Sequence, residues 1–100
     1  MVKHIVMWKL KEEAEGRSRE ENAGVIKEAL EALNGEIDGL LKMEVGIDIS
    51  GTDSSADIVL YSEFISKKAL DEYQVNPKHE AVKPLVGKTT CERQMVDYEV

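Results

Sequence analysis

The sequence has 100 residues, 42% hydrophobic and 33% charged, with 20 acidic against 13 basic side chains, a net charge of −7 and a pI near 4.8. Phosphate backbones are bound by clustered Lys and Arg, whereas here the basic residues are scattered and mostly flanked by Glu or Asp, which excludes nucleic acid as a partner. No apolar run reaches the roughly 18 residues that cross a bilayer, which excludes a membrane-spanning helix.

The length fits one domain over residues 1–100. The opening stretch Met1 to Trp8 is too short for the apolar region of a signal peptide and runs into Lys9 and Lys11, with no small-residue cleavage site after it. The expected location is the cytoplasm. Cys91 is the only cysteine, so no internal disulfide forms, in keeping with a reducing compartment. A lone Cys on a predicted strand reads as a small core or surface residue, not a catalytic thiol.

Residues 2–10 alternate as a strand, with Val2, His4, Val6, Trp8 and Leu10 on one face. The other face has an apolar centre in Ile5 and Met7, so both sides want cover. Lys11 to Arg17 reads as a charged connection, in which Glu12, Glu13, Ala14 and Glu15 form a solvated turn. Ser18 and Glu21 form a capping box for a helix whose stripe is Ala23, Ile26, Leu30 and Leu33. Asn34-Gly35 stops that helix.

Residues 40–49 alternate again and predict a common face for Leu41, Met43, Val45, Ile47 and Ile49, opposite Lys42, Glu44 and Asp48. The turn formers of residues 50–55 then lead into a strand from Asp57 to Ile65, which makes a hairpin. Ser66 starts a second helix to about Val75, with Ala69, Leu70 and Tyr73 on one stripe. Asn76-Pro77 breaks it and restarts it, Asn as N-cap and Pro as first helical residue. The restarted piece carries His79, Val82 and Val86, is kinked or ended by Pro84, and is closed by Gly87. Thr89 to Val100 supplies the last strand. The order is β-α-β-β-α-β, an α+β ferredoxin-like sandwich with four antiparallel strands and both helices on one face.

Such a fold covers only one face of its sheet. Ile5 and Met7, together with Val59 and Tyr61, offer an apolar patch for a second sheet, and twofold self-pairing into a homodimer is the commonest solution. Lys42, Glu44 and Asp48 on the neighbouring strand argue the other way, for a monomer with a solvated face.

His4 and His79 are the only histidines, and each falls on a predicted core-facing surface. A buried imidazole needs a hydrogen-bond partner, and near neutral pH it is suited to general acid–base work. The Tyr73 hydroxyl is suited to stabilising an enolate oxygen. These three are the candidate catalytic residues. The same three also fit a structural role as hydrogen-bonded core residues. No His-x-x-x-His, Cys pair or tight carboxylate cluster suggests a metal, and no Gly-rich phosphate loop suggests a nucleotide, so neither metal nor cofactor is expected. Asp48, Asp53 and Asp57 miss the calcium-loop spacing.

Three segments occur in order: Val2-Lys3-His4-Ile5-Val6, Tyr73-Gln74-Val75-Asn76-Pro77-Lys78-His79, and Val96-Asp97-Tyr98. Together with the topology they resemble the stress-responsive dimeric α/β-barrel family over nearly the whole chain. The resemblance implies a homodimer whose two sheets pack face to face into a barrel, with a pocket between sheet and helices in each subunit. A plant member of that family, olivetolic acid cyclase, closes a polyketide by aldol condensation. Its residues matching Tyr73 and His79 are functional, and the one matching His4 lies in its pocket. This chain differs from it at Asn76, where that enzyme has a further His.

Three functions follow as expectations. One is a cofactor-independent enzyme of cyclase or lyase type that takes a proton next to the carbonyl of a small apolar compound, with His79 as base. Another is a non-catalytic dimer, stress-associated or binding a small molecule in the same cavity. By fold analogy alone, a third is a cofactorless monooxygenase.

Overall fold

The computed structural model describes residues 1–100. Strand β1 (Val2–Leu10) alternates as its sequence predicts and buries Val2, His4, Val6, Trp8 and Leu10 on one face. The charged connection after it is more ordered than expected, folding into a miniature hairpin of β2 (Glu13–Ala14) and β3 (Arg17–Ser18). Its two turn residues, Glu15 and Gly16, both take positive φ, at 53° and 72°, as a tight two-residue hairpin turn requires. Buried Asn22 holds the hairpin: its side-chain oxygen accepts from Arg17 Nε at 2.7 Å, and its Nδ2 donates to the Ala14 carbonyl at 3.0 Å.

Ser18 caps helix α1 (Arg19–Glu31) through the predicted capping box, and Ala23, Ile26, Leu30 and Leu33 enter the core. Strand β4 (Leu40–Ile47) corrects the expected face. Only Met43 and Val45 are buried, while Leu41, Ile47 and Ile49 are exposed. A register shift between Leu40 and Lys42, in the pairing with β5 (Ile58–Phe64), takes Leu41 out of the pleat. The strand ends at Ile47, so Ile49 lies beyond the sheet altogether.

β4 is an edge strand, and α1 covers its free side. The Asn34 side chain donates to the Met43 carbonyl at 2.7 Å and accepts from the Met43 amide at 2.9 Å. Lys27 Nζ donates to the Val45 carbonyl at 2.6 Å, and the Glu31 carboxylate accepts from the Val45 amide at 3.0 Å.

Helix α2 (Lys67–Gln74) is capped by Ser66, whose Oγ accepts from the Ala69 amide at 3.1 Å. It sits tightly on the start of β4 at Gly39, where φ is +80° and a Cβ would lie 2.6 Å from that of Ala69, so only glycine fits. Asn76 caps α3 (Pro77–Glu80), with Pro77 in its first turn, as predicted.

The expected end of that piece at Pro84 is corrected. Pro84 instead lies in the first turn of a further helix, α4 (Lys83–Thr89), and Gly87 lies inside it. A first-turn position has no intrahelical use for an amide N–H, so proline starts a helix there without loss. The break falls ahead of it, at Ala81 and Val82, and β6 (Thr90–Glu99) begins one residue later than expected.

The four long strands form one antiparallel sheet in the order β4-β5-β1-β6. This is the ferredoxin-like β-α-β-β-α-β sandwich, its second helix divided into three pieces where two were predicted. One face of the sheet packs on the helices. On the other, Ile5 lies between Tyr61 and Val96, and Met7 lies beside Val59. Met7, Val96 and Tyr98 are each more than two-fifths exposed there. No helix is long and apolar enough to cross a membrane.

Candidate functional site

The covered face of the sheet supplies the first site residue. His4 is 2% exposed, and its Nδ1 lies 2.5 Å from Oδ1 of Asp97, its cross-strand partner on β6. A carboxylate accepts, so Nδ1 carries the proton and Nε2 is the ring nitrogen left uncommitted. The His4 backbone is also held, since Ser62 Oγ donates to its carbonyl at 2.7 Å.

Tyr73 ends the apolar stripe of α2 and is fully buried. Its ring packs against Phe64 with centroids 5.0 Å apart, meets His4 edge-on at 6.4 Å, and stacks on His79 of α3 at 4.0 Å with 26° between the planes. Burial pushes the Tyr73 hydroxyl far above the ordinary phenol value of 10.0, so this group donates a hydrogen bond and does not act as a base. His79 moves the other way. Burial lowers its pKa below the ordinary 6.5, Lys83 and His4 add to the lowering, and the Gln74 backbone and Glu80 oppose it. Its imidazole is therefore neutral at neutral pH.

The three predicted residues thus converge. All of them line one cavity of about 270 Å³ between sheet and helices, whose apolar wall includes Val6, Trp8 and Leu60. Two of its polar atoms stand out. Tyr73 Oη and His79 Nδ1 are buried and have no hydrogen-bond partner. Elsewhere the buried polar side chains are satisfied: Asn22 by Arg17 and Ala14, Ser62 by His4, Thr89 by the Leu85 carbonyl, and His4 by Asp97. An unsatisfied buried group costs about 1–3 kcal/mol, so two of them on one cavity call for a ligand group or a water to meet them.

Sequence reasoning missed Asp97 as a site residue. Only the β1–β6 register, which places it opposite His4, reveals the pairing. Cys91 is exposed on β6 and away from the cavity lining. No three His, Cys, Asp or Glu side chains gather into a metal-holding cluster.

The chain matches the stress responsive A/B barrel domain, or Dabb, family over residues 2–100. The chain belongs to this family. Among solved structures, the Dabb chain is similar to a dimeric protein of unknown function and ferredoxin-like fold from Bacteroides fragilis. The two are 34% identical with a TM-score of 0.86, over 99% of this chain and 95% of that one.

It is also similar to a dimeric ferredoxin-like protein of unknown function from Jannaschia sp. CCS1, at 25% identity and TM-score 0.75, over 99% and 98% of the two chains. A Dabb family protein from Mesorhizobium loti shares the fold at 23% identity and TM-score 0.74, over 99% and 95%. No curated protein matches the chain.

Proposed function

We propose that this Dabb chain is a single-domain protein that works as a homodimer, each protomer carrying a cofactor-independent acid–base site for a small carbonyl compound. The observation that carries the reading is the pair of buried, unpartnered groups, Tyr73 Oη and His79 Nδ1, on one partly apolar cavity. Concave, largely apolar sites with a few convergent polar groups are the usual form of small-molecule sites.

The roles follow from protonation. Neutral His79 takes the proton next to the carbonyl. Tyr73, which keeps its own proton, donates to the oxygen as enolate charge develops. His4, whose ring is held in one tautomer and orientation by Asp97, presents Nε2 as the second acid–base group. The dimer reading rests on the exposed apolar patch around Ile5 and Met7, and the similar proteins from Bacteroides fragilis and Jannaschia are described as dimeric.

The test is proton exchange. Wild-type protein in deuterated water should speed exchange of the α-protons of 2-hexanone, followed by NMR, and His79→Ala should lower that rate by about 10²–10⁴-fold. If 2-hexanone binds but exchanges no faster than in buffer, the cavity is a non-catalytic binding site.

A further inference from the structure

The cavity is cationic in a protein that is acidic overall. Of the 20 Asp and Glu side chains in the sequence, none is among the 14 residues lining it, and the only two of fixed charge there are Lys83 and Arg93. They are not equivalent. Lys83 is committed, with Nζ donating to the Glu80 carboxylate at 2.6 Å and to the Gln74 carbonyl at 2.8 Å. Arg93 enters none of the chain's ion pairs. It stands on β6 opposite Trp8, whose side chain belongs to the cavity wall, so Arg93 shares the covered face of the sheet while remaining exposed at its margin. An uncommitted guanidinium beside an apolar wall, with two unpartnered polar atoms elsewhere on the same cavity, describes a ligand with two polar ends.

We infer that the cavity takes a small oxo carboxylate, its carboxylate on Arg93, its short apolar chain along Val6, Trp8 and Leu60, and its carbonyl oxygen toward Tyr73 and His79. This rests on the acid–base reading above and adds the charge and length of the substrate. The volume of about 270 Å³ is at or below the ~300–1,000 Å³ of drug-sized sites, which limits the chain to a few carbons. The surrounding charge of −7 repels anions, so a carboxylate ligand needs the local cation to enter.

The probes are 5-oxohexanoate and its methyl ester, which differ in charge and keep the ketone, titrated calorimetrically into the intact protein. The acid should bind about tenfold tighter than the ester, as a charge-assisted hydrogen bond provides. Arg93→Gln should abolish that preference by weakening the acid far more than the ester, and Arg93→Lys, which keeps the charge, should retain most of it. Raised salt should weaken the acid alone. Equal affinities in wild type, or a preference that survives Arg93→Gln, overturn the inference. If both compounds bind equally and both weaken in Tyr73→Phe, the carboxylate assignment falls and the acid–base reading stands. If neither binds, both fall.

Discussion

The rings of Tyr73 and His79 stack with centroids 4.0 Å apart, although they belong to different helices separated by the break at Asn76-Pro77. In an unbroken helix residues six apart point to different sides, because the period is 3.6. The break at Asn76 and Pro77 turns the second piece so that both rings face one cavity. The hydroxyl of the first and Nδ1 of the second are left without partners by that arrangement.

Tyr73→Phe should therefore separate function from stability. The hydroxyl makes no hydrogen bond, so its removal relieves a buried unpaired group, and the unfolding free energy from urea titration should stay the same or rise by up to about 1–3 kcal/mol. Ligand binding or activity should fall. Tyr73→Ala should instead cost about 3–5 kcal/mol through the lost ring. A Tyr73→Phe protein clearly less stable than wild type shows the hydroxyl to be a structural group.

Acid should weaken the protein through His79. Its folded pKa lies below the ordinary 6.5, chiefly through burial, so as pH falls the unfolded chain takes up the proton first. The stability contributed by the neutral ring is complete above pH 6.5 and is lost as pH falls through the lowered folded value. The Glu31 and Glu80 carboxyls, also held low, add their losses only below the ordinary carboxyl value of 4.5. Melting curves between about pH 7.5 and about 5.5 should slope downward in wild type and flatten in His79→Gln.

Asp97→Asn probes the second imidazole. The amide that replaces the carboxylate is able to turn its N–H toward Nδ1 of His4, which moves the ring proton to Nε2 and removes the free lone pair. The exchange rate with 2-hexanone should drop on the order of 10²-fold while the fold persists. A His4→Gln and Asp97→Asn double-mutant cycle on that rate should be strongly non-additive. Additive losses mean the two residues act separately.

The open face of the sheet is tested by Met7→Glu. Met7 lies beside Val59 and is flanked along its strand by Trp8 and Val6, which point to the opposite face. A carboxylate buried there without a partner should split a species of twice 11.2 kDa into monomer in sedimentation at micromolar concentration. A dimer that survives unchanged uses another surface.

Much of this fold is legible in local signals. The alternation of Val2 to Leu10, the Ser18–Glu21 box, the Ser66 cap and the Asn76-Pro77 restart each depend on neighbours a few residues away, and each appears where predicted. What escaped depends on partners distant in sequence. Leu41 alternates correctly, but the bulge that expels it is a property of its pairing with β5. Pro84 reads as a kink or a stop, but the break falls two residues ahead of it and it sits in the first turn of α4. The site divides in the same way. His4, Tyr73 and His79 fall on predicted inner faces, whereas Asp97 becomes part of the site only through a register 93 residues long.

The two borders of the sheet are unequal. Asn34, Glu31 and Lys27 occupy the backbone groups of Met43 and Val45 along β4, while β6 has no such cover. A contact that joined the β4 of one copy to the β6 of the next would repeat without closing, which is how fibres grow. With the Met43 and Val45 groups taken, β6 is the more open border for a strand from another molecule, and two β6 borders meeting about a twofold axis would leave neither free to extend.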